Sequence, residues 1–156
     1  MKTLIVCFSA TGTTARVAER LAATTGGELF RILPATPYTA ADLDWTDRNS
    51  RSSREMNDPQ SRPALANRPV ETSGYAVVYL GFPVWWDSAP TIVNTFLETH
   101  DLGGKRIIPF ATSGGSGIRK ACDRLKAAYP HLRWEEGRLL NRPSDRELEA
   151  WTQQHR

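Results

Sequence analysis

The chain alternates between short apolar runs and stretches whose apolar residues recur every three or four positions. Thr3 to Phe8 (TLIVCF) is almost wholly β-branched, aliphatic or aromatic, the pattern of a strand covered on both faces. From Thr13 to Thr24 the residues Val17, Ala18, Leu21 and Ala22 share one helical face, and Gly26 and Gly27 end the helix. Glu28 to Pro34 alternates apolar and polar side chains and predicts a half-buried strand near a sheet edge. Gly74 to Gly81 predicts a third strand, followed by a helix whose inward stripe is Ile92, Val93, Phe96 and Leu97. Lys105 to Thr112 predicts a fourth strand, in which Pro109 is best tolerated near an end. A helix over Ser116 to Tyr129, a last strand over Leu132 to Leu140 and a terminal helix capped by Ser144 complete the pattern.

Strands that alternate with helices in this way form a parallel sheet with helices on both faces, and five strands is the natural count. One segment breaks the alternation. Pro37 to Arg68 has little periodicity and is rich in Ser, Asn, Asp and Pro, with arginines at 48, 51, 54, 62 and 68. A loop of this length inside a compact domain is functional or disordered, so positions 37–68 are expected to form a lid or an interface; a homodimer is a separate expectation, with no segment assigned to it. Its arginines either form a solvated face or meet the phosphates of a nicotinamide dinucleotide or an acidic partner, with Trp45 as the anchor of the lid.

A length of 156 residues fits a single domain over 1–156, and an apolar fraction of 40% with 24% charged residues is ordinary for a globular chain. No apolar run approaches a membrane span and the first residues lack the features of a signal peptide, so a cytoplasmic protein with no membrane partner is expected. The net charge of +3 comes with interspersed Asp and Glu rather than with blocks of one sign, which argues against nucleic acid as a partner. Cys7 and Cys122 form neither a metal spacing nor a redox pair, and the three scattered histidines form no triad, so no metal site is expected.

In open parallel sheets, ligands bind beyond the carboxyl ends of the strands. Three segments fall there: Ser9 to Thr14 (SATGTT), Gly81 to Pro90 (GFPVWWDSAP) and Thr112 to Gly117 (TSGGSG). The first offers hydroxyls at Ser9, Thr11, Thr13 and Thr14, a glycine at Gly12 and the free N–H groups of a helix start, all suited to a phosphate; a plain capped helix uses the same residue types. The nucleotide P-loop is excluded because no Lys follows, and the dinucleotide fingerprint because Gly12 stands alone. A cysteine phosphatase needs an Arg where Thr13 stands. In the second segment Trp85 and Trp86 point in different directions, so either one is exposed as a stacking surface or both pack inward. A ring between the second and third segments, with its phosphate on the first, would use all three.

These residues resemble the flavodoxin family. Ser9, Thr11, Gly12 and Thr14 match its Ser/Thr-x-Thr-Gly-x-Thr phosphate loop, and the likeness extends through GFPVWWDSAP and FATSGGSG to the last helix. Asp42 to Pro63 resembles the insertion of a subgroup with tandem tryptophans. The resemblance implies a three-layer α/β/α doubly wound fold, a five-stranded parallel sheet in the order 2-1-3-4-5, and non-covalent FMN. It places the phosphate on Ser9, Thr11, Gly12, Thr13 and Thr14, the ring against Pro83, Val84, Trp85 and Trp86, and the ring edge or ribityl chain near Ser113, Gly114, Gly115 and Gly117. Electron transfer with a redox partner protein is the activity implied; the alternative is reduction of a quinone or related small acceptor by NAD(P)H, and a binding module without flavin is the third reading. Electron-carrying flavodoxins are usually strongly acidic. A basic chain therefore implies a less negative potential or an acidic partner.

Overall fold

The computed structural model describes residues 2–156. Strand β1 (Lys2–Cys7) leads to helix α1 (Thr13–Thr25) and strand β2 (Glu28–Arg31), and the insertion that follows contains helix α2 (Arg51–Met56). Strand β3 (Tyr75–Pro83), helix α3 (Thr91–Thr99), strand β4 (Arg106–Thr112) and helix α4 (Arg119–Ala128) come next. The short strands β5 (Arg133–Trp134) and β6 (Arg138–Leu139) and helix α5 (Asp145–Gln153) close the chain. All strands are parallel, in the order β2-β1-β3-β4-β5, with β6 also on β4.

Side chains of a strand alternate between faces, and here the alternation sorts the core into two layers. Leu4, Val6 and Phe8 of the first strand region join Val78, Leu80, Phe82, Ile107 and Ala111 against Ile92, Val93 and Phe96 of α3 and Ala121 and Leu125 of α4. Ile5, Cys7, Tyr79, Ile108 and Phe110 face the other way, against Ala18 and Leu21 of α1 and Leu148 and Trp151 of α5. The result is the three-layer α/β/α arrangement with both sheet faces covered. No helix among the described residues is long and apolar enough to cross a membrane.

The last strand differs from the single run expected over Leu132 to Leu140, and Pro109 is the reason. It lies in the middle of β4, not near an end. Ile107 and Ala111 direct their carbonyls toward β5 and β6, where the N–H groups of Glu135 and Leu140, just past the ends of those strands, donate to them, each at 2.8 Å. Pro109 falls on the same side and has no N–H to give. The ladder breaks there, and Ile107 pairs with Trp134 but Phe110 with Arg138, so one extra residue bulges out. Gly137 permits the close approach, since a Cβ there would lie 2.9 Å from both the Pro109 carbonyl and Cys122 Sγ.

The insertion is more ordered than its composition suggests. Its ends are zipped together where Ala35 N–H donates to the Ala64 carbonyl at 2.8 Å and Ala66 N–H to that of Leu33 at 2.7 Å. Ser50 caps α2 through the Ser53 N–H, and Asp42, Asp44, Asp47 and Asp58 each accept a nearby backbone N–H. Two of its arginines are engaged by the fold. Arg51 pairs with Glu55 at 2.8 Å, lies 3.8 Å from the centre of the Tyr38 ring and donates to the Thr36 carbonyl at 2.6 Å, while Arg62 pairs with Glu98 at 3.0 Å.

His100 packs at the end of α3, stacked on Phe96 at 4.1 Å, with its Nε2 accepting the Val70 N–H at 3.2 Å. Burial pushes its pKa below the ordinary histidine value. Neutral His100 therefore contributes stability above the unfolded value near about 6.5, and this is lost as the pH falls through the lower folded value. His155, which meets the Tyr79 hydroxyl at 2.9 Å, is shifted in the same direction by burial. We expect the urea midpoint to fall between about pH 7 and about pH 5, and to fall less steeply in His100→Phe. An identical pH slope in parent and variant would contradict this.

Candidate functional site

The carboxyl ends of β1, β3, β4 and β6 open on one side into a cavity of about 650 Å³, a size that suits a small organic ligand. Its floor begins at the turn from β1 into α1. Gly12 occupies the position before the first helical residue with φ 98°, a left-handed conformation that costs other residues about 1–2 kcal/mol, and no side chain caps the helix. A plain side-chain cap, the other use of these residue types, does not form. The Gly12 N–H goes instead to Ser9 Oγ at 3.0 Å, which folds the loop back on itself. Thr11 and Thr13 are exposed at the cavity with their hydroxyls 3.5 Å apart. Thr14 is buried, its hydroxyl 2.8 Å from that of Thr112, so it ties α1 to the end of β4.

The opposite wall comes from the turn after β3. Trp85 and Ser88 exchange two backbone hydrogen bonds of 2.9 Å across Trp86 and Asp87, whose φ values of 47° and 59° make a tight hairpin of the primed type. Helix α4 holds the hairpin in place: Arg124 donates to the Trp86 carbonyl at 3.2 Å and to the Ser88 hydroxyl, and Lys120 lies 3.6 Å from Asp87. The two indoles diverge. Trp85 turns inward, edge-on to Phe8 at 5.8 Å and to Tyr38 at 5.7 Å, and forms part of the cavity wall. Trp86 is 47% exposed and faces a neighbouring space.

Of the residues read from the sequence, Ser9, Thr11, Thr13, Thr14, Pro83, Val84, Trp85, Ser113 and Gly114 meet around this cavity. Gly12 shapes the loop without lining the space, Trp86 and Gly115 line the adjoining cavity, and Gly117 lines neither. Pro83 is the last residue of β3 rather than part of the loop. Ala10 and Thr112, which lie within the first and third segments, also line the cavity, as do Leu43, Asn141 and Arg142, which were not foreseen. Asn141 and Arg142 follow the last strand, so the rule that ligands sit beyond strand ends already pointed to them. Asn141 Oδ1 accepts the Ser113 N–H at 2.7 Å and so shapes the third loop. Leu43 arrives from the insertion, whose path no local pattern reveals.

The electrostatics suit an anion. Arg142 lines the cavity, the Arg16 guanidinium lies near Gly12, and no carboxylate is among the lining residues. Cys7, at the end of β1, is fully buried, and burial pushes its thiol up to about 12, so no thiolate nucleophile is available there.

The three-layer α/β/α packing and the strand order β2-β1-β3-β4-β5 are those of the flavodoxin-like fold. The flavodoxin family model matches residues 2–155, and the chain belongs to that family. Among solved structures it is 56% identical to a provisionally assigned flavoprotein from Bacteroides eggerthii, over 97% of this chain and 96% of that one, with a TM-score of 0.94. A provisionally assigned flavoprotein from Bacteroides uniformis is 51% identical over 97% of each chain, with a TM-score of 0.95. A Lactobacillus acidophilus flavoprotein solved in complex with FMN is 21% identical over 97% of this chain and 98% of that one, with a TM-score of 0.76. No curated protein sequence matches the chain.

Proposed function

We propose that the protein binds FMN non-covalently in this cavity and acts in electron transfer. The observation that carries the reading is the uncapped start of α1, opening beside Thr11 and Thr13 into a cavity whose far wall is the half-buried Trp85. The helix N–H groups and the two hydroxyls would hold the phosphate, with Arg142 and Arg16 supplying positive charge. Val84 and Trp85 would bear on the ring, and the backbone at Ser113 and Gly114 would bound its edge. FMN supplies the redox chemistry when bound; the residues around it set position, dryness and charge.

Titration with FMN and with riboflavin tests the site. FMN is expected to bind at least about a hundredfold more tightly, because only its phosphate uses the charge-assisted contacts of the loop. No flavin binding, or equal affinity for the two, would overturn the assignment. For the activity, the electron-carrier reading rests on the exposed basic side chains beside the candidate flavin site and not on the insertion, where Arg51 and Arg62 are paired internally but Arg48, Arg54 and Arg68 are exposed. The exposed Arg119, Lys120 and Arg124 near the tryptophan hairpin form a basic rim suited to an acidic redox partner. Reduction of the bound flavin by NADPH alone, without a separate reductase, would favour the enzyme instead.

A further inference from the structure

Trp45, the anchor expected of the insertion, is 72% exposed, and Tyr38 takes that part instead. Tyr38 packs against the core, its ring edge-on to Trp85 at 5.7 Å and tilted against Phe8 at 5.7 Å. Helix α2 holds this one residue through three contacts. The Arg51 guanidinium lies 3.8 Å from the ring centre, Arg51 Nη1 donates to the Thr36 carbonyl at 2.6 Å, and the phenol O–H donates to Glu55, which Arg51 Nε meets at 2.8 Å. The side chains of the Arg51–Glu55 pair are largely buried, so salt screens it less than an exposed pair. Burial and the bond to Glu55 push the Tyr38 phenol above its ordinary value, and it remains a donor. A lysine would supply the charge, but not the flat fork that lies on a ring while donating to two acceptors at once.

We propose that Arg51 is a positioning residue for the candidate flavin site: by clamping Tyr38 it fixes the Trp85 indole in the orientation that the flavin ring meets. Arg51, Tyr38 and Glu55 do not line the cavity; they stand behind its wall, one aromatic contact away from Trp85. Edge-to-face pairs hold only over a narrow range of ring geometry, so a shift of Tyr38 carries to Trp85. Phe8, the other support of that indole, is fully buried on the core side. Tyr38 is therefore the support that can move, and Arg51 is what stops it. The effect falls on the ring end of the ligand, because Trp85 lies across the cavity from the start of α1. The proposal rests on the FMN reading for its ligand; the clamp itself is formed by the protein alone.

Titration of Arg51→Ala with FMN and with riboflavin tests it, urea unfolding having shown that the variant is folded under the conditions used. Both flavins are expected to bind about tenfold more weakly, by factors that agree within about twofold. Tyr38→Leu should reproduce the loss, and adding Arg51→Ala to it should cost nothing more, since Arg51 acts through the ring. Arg51→Lys should recover only part of the affinity. In the flavin-free protein labelled with fluorotryptophan, the fluorine resonance that Trp85→Phe removes should shift or broaden in Arg51→Ala, while that of Trp151, in the other core layer, stays in place. Parent-like affinity of Arg51→Ala for both flavins would overturn the proposal, as would an unmoved Trp85 resonance. A loss confined to FMN, or full recovery in Arg51→Lys, would show instead that Arg51 acts by charge on the phosphate. If the parent binds neither flavin, the cofactor reading falls, and the Trp85 resonance alone decides whether Arg51 positions the indole.

Discussion

Gly81→Ala is expected to destabilise the protein by about 3 kcal/mol, at the upper end of what overpacking a core costs. Gly81 lies in the central strand β3, directly paired with Phe110 of β4, and the Phe110 ring covers the space a side chain would need. A Cβ added there would stand 2.1, 2.4 and 2.7 Å from three ring carbons. Those carbons cannot swing away cheaply, because Phe110 is fully buried in the layer between the sheet and helices α1 and α5. Urea denaturation reads the loss as a lower midpoint with an unchanged slope, and thermal unfolding as a fall of roughly 10 °C. Phe110→Leu in the same background should recover part of the stability, so the double-mutant cycle should show coupling between the two positions. A Gly81→Ala protein as stable as the parent would show that the ring does not fill this space.

The second large effect is on ligand binding. Gly12→Ala is expected to weaken FMN by at least about tenfold, because φ 98° must relax and the first N–H groups of α1 turn with it. Strain alone would also cost about 1 kcal/mol of stability, so a control is needed that carries strain without touching the loop. Gly26 provides one. It ends α1 with φ 71°, and a Cβ there would meet nothing within 4 Å. Gly26→Ala should lower the urea midpoint comparably and leave FMN affinity unchanged. If both variants lost FMN alike, the effect would belong to global stability and the special role of Gly12 would be refuted.

The sheet was readable because its strands are buried on both faces and announce themselves as apolar runs: Leu4 to Phe8 and Val78 to Leu80 have no exposed position to disguise them. The helices were readable from their stripes, although α4 begins at Arg119 rather than Ser116 because the loop before it follows its own hydrogen bonds, Ser113 to Ser116 among them. Strand β2 stops at Arg31, and Pro34 pairs with the insertion instead of the sheet. What periodicity could not show was long-range geometry. Nothing local says that Pro109 would divide the strand beside it, or that a polar stretch would build a short helix on three serines and carry Leu43 to the cavity. The three loops that meet at the carboxyl edge were legible as a set, because the rule that gathers them concerns topology rather than sequence distance. The divergence of Trp85 and Trp86 was legible too, but which one turned inward depended on Phe8 and Tyr38.

The division of the last strand also bears on behaviour at high concentration. An open sheet has two rims, and a long straight rim invites another chain to add itself by backbone pairing. Here one rim is split into two-residue pieces separated by a bulge at Glu135 to Gly137, and the other is a four-residue strand with Glu28 and Arg31 at its ends. Neither offers a run long enough to template a neighbour. A proline in the middle of β4 thus shortens the rim that a second chain could pair with.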